Sequence, residues 1–216
     1  MSNSKTARLV ETAMLIALAT VLALISKLLP LQLPFGGSVT LVSMLPIVLI
    51  SYRNGIRWGL MGAFVYAIIQ ILTGLDVVRA FFLPGDSQMV AWKAILVILF
   101  DYILAYTALG LGGLFRKSGS PVKALCLGSI VALALRYLCH IISGAIFFGT
   151  WAEWFFTDEF QITSVGDFVL GHFSGTGLAV VYSVIYNGLY MIPEIIITAL
   201  AAALIARVPV VVRQAD

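Results

Sequence analysis

The chain has 216 residues, of which 61% are hydrophobic and 11% charged, and its mean hydropathy is +1.06. A soluble domain of this length carries about a quarter charged residues, so a water-soluble globular protein is excluded. The net charge of +3 is accounted for by the side of a membrane on which lysine and arginine fall, so it does not point to a nucleic-acid partner.

In chain order, hydropathy and turn punctuation predict an all-α integral membrane protein. Its single domain, 1–216, has six transmembrane helices, at about 9–29, 40–52, 56–74, 92–114, 122–148 and 176–206. The first begins "MSNSKTARLVETAMLIALATVLALISKLL", which has the basic start and apolar body of a signal peptide. The apolar run continues past any cleavage point and Glu11 interrupts its start, so it reads as an uncleaved helix. Alanines four apart occur on it in two registers, Ala13/Ala17 and Ala19/Ala23, on different faces.

The second span is short and contains Pro46, which predicts a bend or a tilt. The connection before it, "LPLQLPFGGS", is rich in proline and glycine and free of charge, as a lid or an ordinary connector would be. The third span follows the tight turn "YRNGIR". The fourth carries Asp101 beside Tyr102, the fifth the run "RYLCHIISGAIFF", and the sixth Tyr182, Asn187 and Glu194.

Orientation follows from the lysine and arginine bias. With both termini cytoplasmic, the inner segments hold nine of these residues, from Lys5 to Arg213. The outer ones hold Arg79, with Lys27 and Lys93 near the outer ends of their spans. The longest outer loop is acidic (Glu153, Asp158, Glu159, Asp167), and Trp92, Trp151 and Trp154 form an interfacial belt.

Two cysteines, Cys126 and Cys139, are roughly 20 Å apart along one helix and cannot bridge. No G-x-x-x-x-G-K-[ST], H-E-x-x-H or G-x-S-x-G run occurs, so no ATPase, metal-peptidase or serine-hydrolase motif is visible. No metal or cofactor is expected.

Ionisable groups inside spans are expensive and mark function. Asp101 lies roughly 13 Å and His140 roughly 12 Å from the outer ends of their helices, with Tyr182 and Asn187 roughly 9 to 17 Å down theirs. Three helices thus place hydrogen-bonding groups at one depth, as in a pocket open to the outside. Arg136, His140, Ser143, Gly144 and Phe147 form one stripe, and Ser183, Asn187, Tyr190 and Glu194 another. If the stripes face each other, Arg136 and Glu194 pair beneath the pocket as a structural base. A tyrosine or asparagine in a membrane helix also serves as an interhelical hydrogen bond. A carboxylate, an imidazole, an amide and aromatic faces suit a small, partly aromatic ligand, and a cationic ring gains further from Asp101 and from cation–π contact.

The runs "PFGGSVTLVSMLPIVLISYRNGIRWGLMGAFVYAIIQILTG", "DYILAYTALGLGGLFRK", "RYLCHIISGAIFFGTWA" and "YSVIYNGLYMIPEIIIT" together resemble the ThiT family across nearly the whole chain. These are the thiamine-specific substrate-binding (S) components of energy-coupling factor (ECF) transporters. The resemblance implies an S-component fold in a bacterial cell membrane. It implies thiamine bound from outside by Asp101, Tyr102, His140, Gly144, Tyr182 and Asn187, with a stacking aromatic at Phe148 and a lid aromatic at Phe35. The family's glutamate and tryptophan are here Asp101 and Phe148, departures that keep open an S component for another vitamin or a thiamine precursor. It also implies an ECF module as partner, a transmembrane coupling protein with two cytoplasmic ATPases, docked on an A-x-x-x-A face for which Ala13/Ala17 is the favoured register. The rival readings are a secondary transporter, or an intramembrane enzyme using His140 and Asp101 as base and orienter.

Overall fold

A computed structural model describes residues 5–30, 32–33, 37–85, 87–160 and 162–214. The described residues are nearly all helical, apart from turns and one antiparallel bridge between Gln32 and Ser38. Among the described residues, five helices are long and apolar enough to cross a membrane: α1 (Lys5–Ser26), α3 (Ile56–Thr73), α5 (Ala91–Gly113), α6 (Pro121–Phe147) and α8 (Gly175–Ile205). Between them lie α2 (Leu45–Asn54), α4 (Leu75–Ala80) and α7 (Thr163–His172). Large apolar side chains such as Met14, Met61, Ile146 and Leu200 point outward. In water such a surface would be prohibitive, and in lipid it is the expected one.

The predicted second span requires correction. The helix begins at Leu45 rather than near 40 and has 10 residues, about 15 Å, half of a roughly 30 Å hydrocarbon core. Pro46 lies in its first turn, where the missing N–H would have had no helical partner, so it starts the helix instead of bending it. Every residue from Leu45 to Tyr52 is buried. Close approach makes this possible. The Ser51 hydroxyl donates to the Gly110 carbonyl at 2.5 Å and accepts from the Gly113 N–H at 3.0 Å. A Cβ on Gly59 or Gly113 would run into Ser51.

A non-helical strap, residues 37–44, leads into α2. Irregular backbone at membrane depth persists only where the protein supplies its partners. Here the Leu41 N–H donates to Ser26 Oγ at the end of α1 (2.7 Å), and Thr40 is held by Glu194 of α8. Val42 has φ +59, an outlier for a β-branched residue that costs on the order of 1–3 kcal/mol and survives because its surroundings dictate it.

At one end of the bundle, Arg53 pairs with Glu11 (Nε to Oε1, 2.6 Å) and donates through Nη1 to the carbonyls of Val210 and Val211. Both ends of the described chain therefore meet the α2–α3 turn. At the opposite end, the turns over 149–159 pack against α8 and α7 packs on those turns, and Phe155 sets its ring edge-on to Tyr182 and Tyr186.

Candidate functional site

The site is a cavity of about 370 Å³ toward the end opposite Arg53, walled by α3, α5, α6, α8 and the strap. That volume lies in the lower part of the range for small-molecule pockets, roughly 300–1,000 Å³. Asp101, Tyr102, His140 and Gly144 line it, and so do Phe148, Tyr182 and Asn187, so the structure brings all seven predicted ligand residues to one space.

On α5 the placement depends on a local change of helix type. Residues Ile98–Leu104 form π-type turns, wider than an α-helix and frequent at functional sites. The wider turn lets Asp101, Tyr102 and Tyr106 all reach the cavity wall. From α6, His140 Nδ1 lies 2.8 Å from Asp101 Oδ1, and the Ser143 hydroxyl donates to Oδ2 at 2.6 Å. Residues three apart on a helix share a face, so one carboxylate holds both groups. An ionised carboxylate only accepts, so Nδ1 carries the proton and the buried Nε2, which has no protein partner, is left for a ligand.

On α8, Tyr190 donates to Asn187 Oδ1 at 2.7 Å, and Asn187 Nδ2 donates to the Ser183 carbonyl at 2.8 Å. The Ser183 hydroxyl donates across to the Ile141 carbonyl of α6 at 2.8 Å. Gly144 makes this crossing possible, because a Cβ there would collide with Ser183 Oγ and crowd Asn187 Nδ2, 3.1 Å away. Small residues permit such approach in membranes, where lipid gives helices no hydrophobic reason to associate. The Tyr190 ring stands edge-on to His140 at 5.9 Å.

Arg136 and Glu194 are not joined, contrary to the expectation of an ion pair. Arg136 donates to Tyr106 OH and Met44 Sδ, both at 3.3 Å, and lies over the Tyr106 ring at 4.5 Å. Glu194 instead accepts from the Thr40 N–H (2.5 Å) and hydroxyl (2.7 Å). Arg136 lines the cavity, so it belongs to the floor of the site as well as to its support. Phe35 lies outside the described residues, while Gly37, Ser38 and Thr40 beyond it reach the cavity. On α1, Ala13 and Ala17 face outward, whereas Ala19 (0% exposed) and Ala23 (8%) pack inside.

Sequence reasoning missed Gln70 of α3 and did not place Tyr106 at the cavity; Tyr190 appeared only as a stripe position. Gln70 had a usable signal, an amide within the apolar run "AIIQILTG". The arrangement suits binding rather than reaction. Ser143 donates to Asp101 rather than to an imidazole nitrogen, so the serine–histidine pairing of a hydrolase is not formed. Among the described residues, no group of three or more His, Cys, Asp or Glu is placed to hold a metal ion.

The profile of one family, described as thiamine transporter protein (Thia_YuaJ), matches residues 9–154. The thiamine transporter ThiT of Bacillus subtilis strain 168 is 33% identical in an alignment 212 positions long that covers 92% of this chain and 89% of that one. A solved structure of ThiT from Listeria monocytogenes superposes with a TM-score of 0.67 at 21% identity, covering 98% of this chain and 100% of that one. At that identity the likeness speaks for the fold.

Proposed function

The chain belongs to the thiamine transporter protein family, and on that premise we propose that it is the membrane-embedded substrate-binding subunit of a thiamine importer in a bacterial cell membrane. It captures the vitamin from outside and performs no covalent chemistry. The observation that carries this reading is the Asp101–His140 pair, fixed by Ser143 beneath walls of tyrosine and phenylalanine.

The ligand's chemistry fits that wall. An aminopyrimidine presents donors and acceptors along one edge. The Asp101 carboxylate keeps lone pairs beyond the two it shares, and His140 Nε2 is free to accept an amino hydrogen. A thiazolium is a fixed cation, attracted to the carboxylate and to the faces of Tyr102, Tyr182 and Phe148, at roughly 0.5–2 kcal/mol for each well-placed ring. Burial of those aromatics makes the attraction stronger than it would be in water.

The sequence has no nucleotide-binding motif, so an ATP-driven cycle requires other chains. An ECF module fits, docked against the outward Ala13/Ala17 face of α1 while Ala19 and Ala23 hold that helix to its own bundle. A secondary transporter would import thiamine without such a module.

Titration of the detergent-purified protein with thiamine, followed by tryptophan fluorescence or calorimetry, tests the reading. Saturable 1:1 binding, lost or strongly weakened in His140→Ala and Asn187→Ala, is expected. A folded wild type that ignores thiamine would falsify it. A panel of thiamine precursors and other vitamins would then follow the Asp101 and Phe148 departures to a different ligand.

A further inference from the structure

We propose that Gln70 is an additional ligand-binding residue, and that its amide reads the polar group of the ligand nearest the cavity mouth. For thiamine this group is the hydroxyl of the hydroxyethyl arm, so the assignment rests on the thiamine reading above.

Gln70 belongs to a buried stripe of α3, Ala63, Tyr66, Ala67 and Gln70, that faces the bundle interior. Its side chain lines the cavity and is 7% exposed, yet among the described residues it makes no hydrogen bond, and Nε2 is buried without a partner. Several other polar groups of the wall are engaged, whereas His140 Nε2 is, like the Gln70 amide, without a partner among the described residues. Asp101 is taken by His140 and Ser143, Asn187 by Ser183 and Tyr190, and Lys27 by the Thr73 carbonyl at 2.8 Å. An amide left unpaired in a membrane interior is destabilising. Its persistence beside a cavity is explained if the missing partner arrives with the ligand.

Depth selects the group. Gln70 lies three residues before the end of α3 at Thr73, about 4.5 Å from it. His140 lies seven residues before the end of α6 at Phe147, about 10 Å from it. On this reading a ligand whose aminopyrimidine rests on Asp101 and His140 extends its opposite end toward Gln70, which lines the same cavity. A hydroxyl both donates and accepts, and so does a primary amide.

The test compares wild type and Gln70→Leu, a nearly isosteric apolar replacement, against thiamine and against the analogue in which the hydroxyethyl arm is an ethyl group. Gln70→Leu is expected to bind thiamine roughly three- to tenfold more weakly, with little or no preference for thiamine over the ethyl analogue. Wild type should prefer thiamine by a similar factor. The ligand-free variant should unfold at the same temperature as wild type or higher, because an unpaired buried amide has been removed. A purely structural role predicts the opposite, lower stability and equal losses for both ligands.

Unchanged thiamine affinity in Gln70→Leu overturns the proposal. An undiminished preference for the hydroxyl in the variant does so as well, since the amide then is not what reads it. Wild type that binds neither compound removes the thiamine reading itself, an outcome distinct from a wild type that binds and a variant that binds equally well.

Discussion

Glu194 on α8 grips Thr40 of the strap twice, accepting its N–H at 2.5 Å and its hydroxyl at 2.7 Å. The carboxylate is 1% exposed, and Ser43 adds a hydrogen bond to Thr40 Oγ1 at 2.8 Å. A buried carboxylate is tolerable only when its oxygens are occupied, so the strap and Glu194 stabilise one another. The pair holds the cavity-facing residues Gly37, Ser38 and Thr40 against α8, beside a backbone strained at Val42.

Glu194→Ala is expected to loosen that hold and speed thiamine release tenfold or more, read by stopped-flow fluorescence. Removing the acceptor leaves Thr40 N–H unpaired at about 1–3 kcal/mol, and relief of the Val42 strain favours a displaced strap. Glu194→Gln should fall between the two, because its amide oxygen can still accept one of the bonds. A release rate unchanged in both variants would show that the strap does not retain the ligand.

Gly144→Ala should weaken thiamine binding by more than tenfold. The added methyl cannot fit beside Ser183 Oγ, so α6 and α8 must separate and carry His140 away from Asn187. Calorimetric titration checks the affinity, and a thermal melt of the ligand-free protein should fall by several degrees in parallel.

Asp101→Asn replaces an acceptor that serves His140 and Ser143 with a group that donates on one side. Hydrogen bonds to charged groups are worth about 1.5–3 kcal/mol, so binding should weaken by roughly ten- to a hundredfold. The loss should be smaller for an uncharged pyrimidine fragment, which does not gain from the carboxylate's attraction for a cation.

Phe148→Leu keeps an apolar side chain at the cavity and removes the π face, which now stands edge-on to Phe81 at 6.4 Å. A loss of about 0.5–1 kcal/mol, roughly two- to fivefold in affinity, is expected for thiamine. Equal binding by both side chains would place the cation against other rings.

The two alanine registers of α1 should separate binding from transport. Ala17→Leu adds bulk on an outward face, so purified protein should bind thiamine as wild type does while cellular uptake fails for want of a docked partner. Ala19→Leu adds bulk where exposure is 0%, so that variant should be poorly folded before any transport assay is made.

Much of the bundle was legible in the sequence because hydropathy over about 20 residues reports directly on what faces lipid. The second helix misled for the same reason. Its apolar run, preceded by the uncharged strap, has the composition of a membrane crossing, yet it is apolar because protein surrounds it on all sides. The ligand-facing residues of α6 and α8 followed from helical period, which sorts side chains by face. Period says nothing of reach, so Arg136 and Glu194 seemed partners when the carboxylate's true partner was backbone and hydroxyl 154 residues earlier. The π-type turns around Asp101 left no pattern to read, and Gln70 is a single uncharged amide within an apolar run, with no charge to mark it.

The grip of Arg53 on the carbonyls of Val210 and Val211 also bears on biogenesis. The two sides of that contact are separated by 157 residues, so the α2–α3 turn leaves the ribosome long before its partner is made. Until then the Arg53 guanidinium has Glu11 as its partner among the described residues, and α2, too short to anchor itself across a bilayer, must wait among helices already inserted. The closing of this clasp is therefore a late event in assembly. A chain shortened before Val210 should insert normally yet mature poorly, and it should be cleared by membrane quality-control proteases even though every residue of its cavity is present.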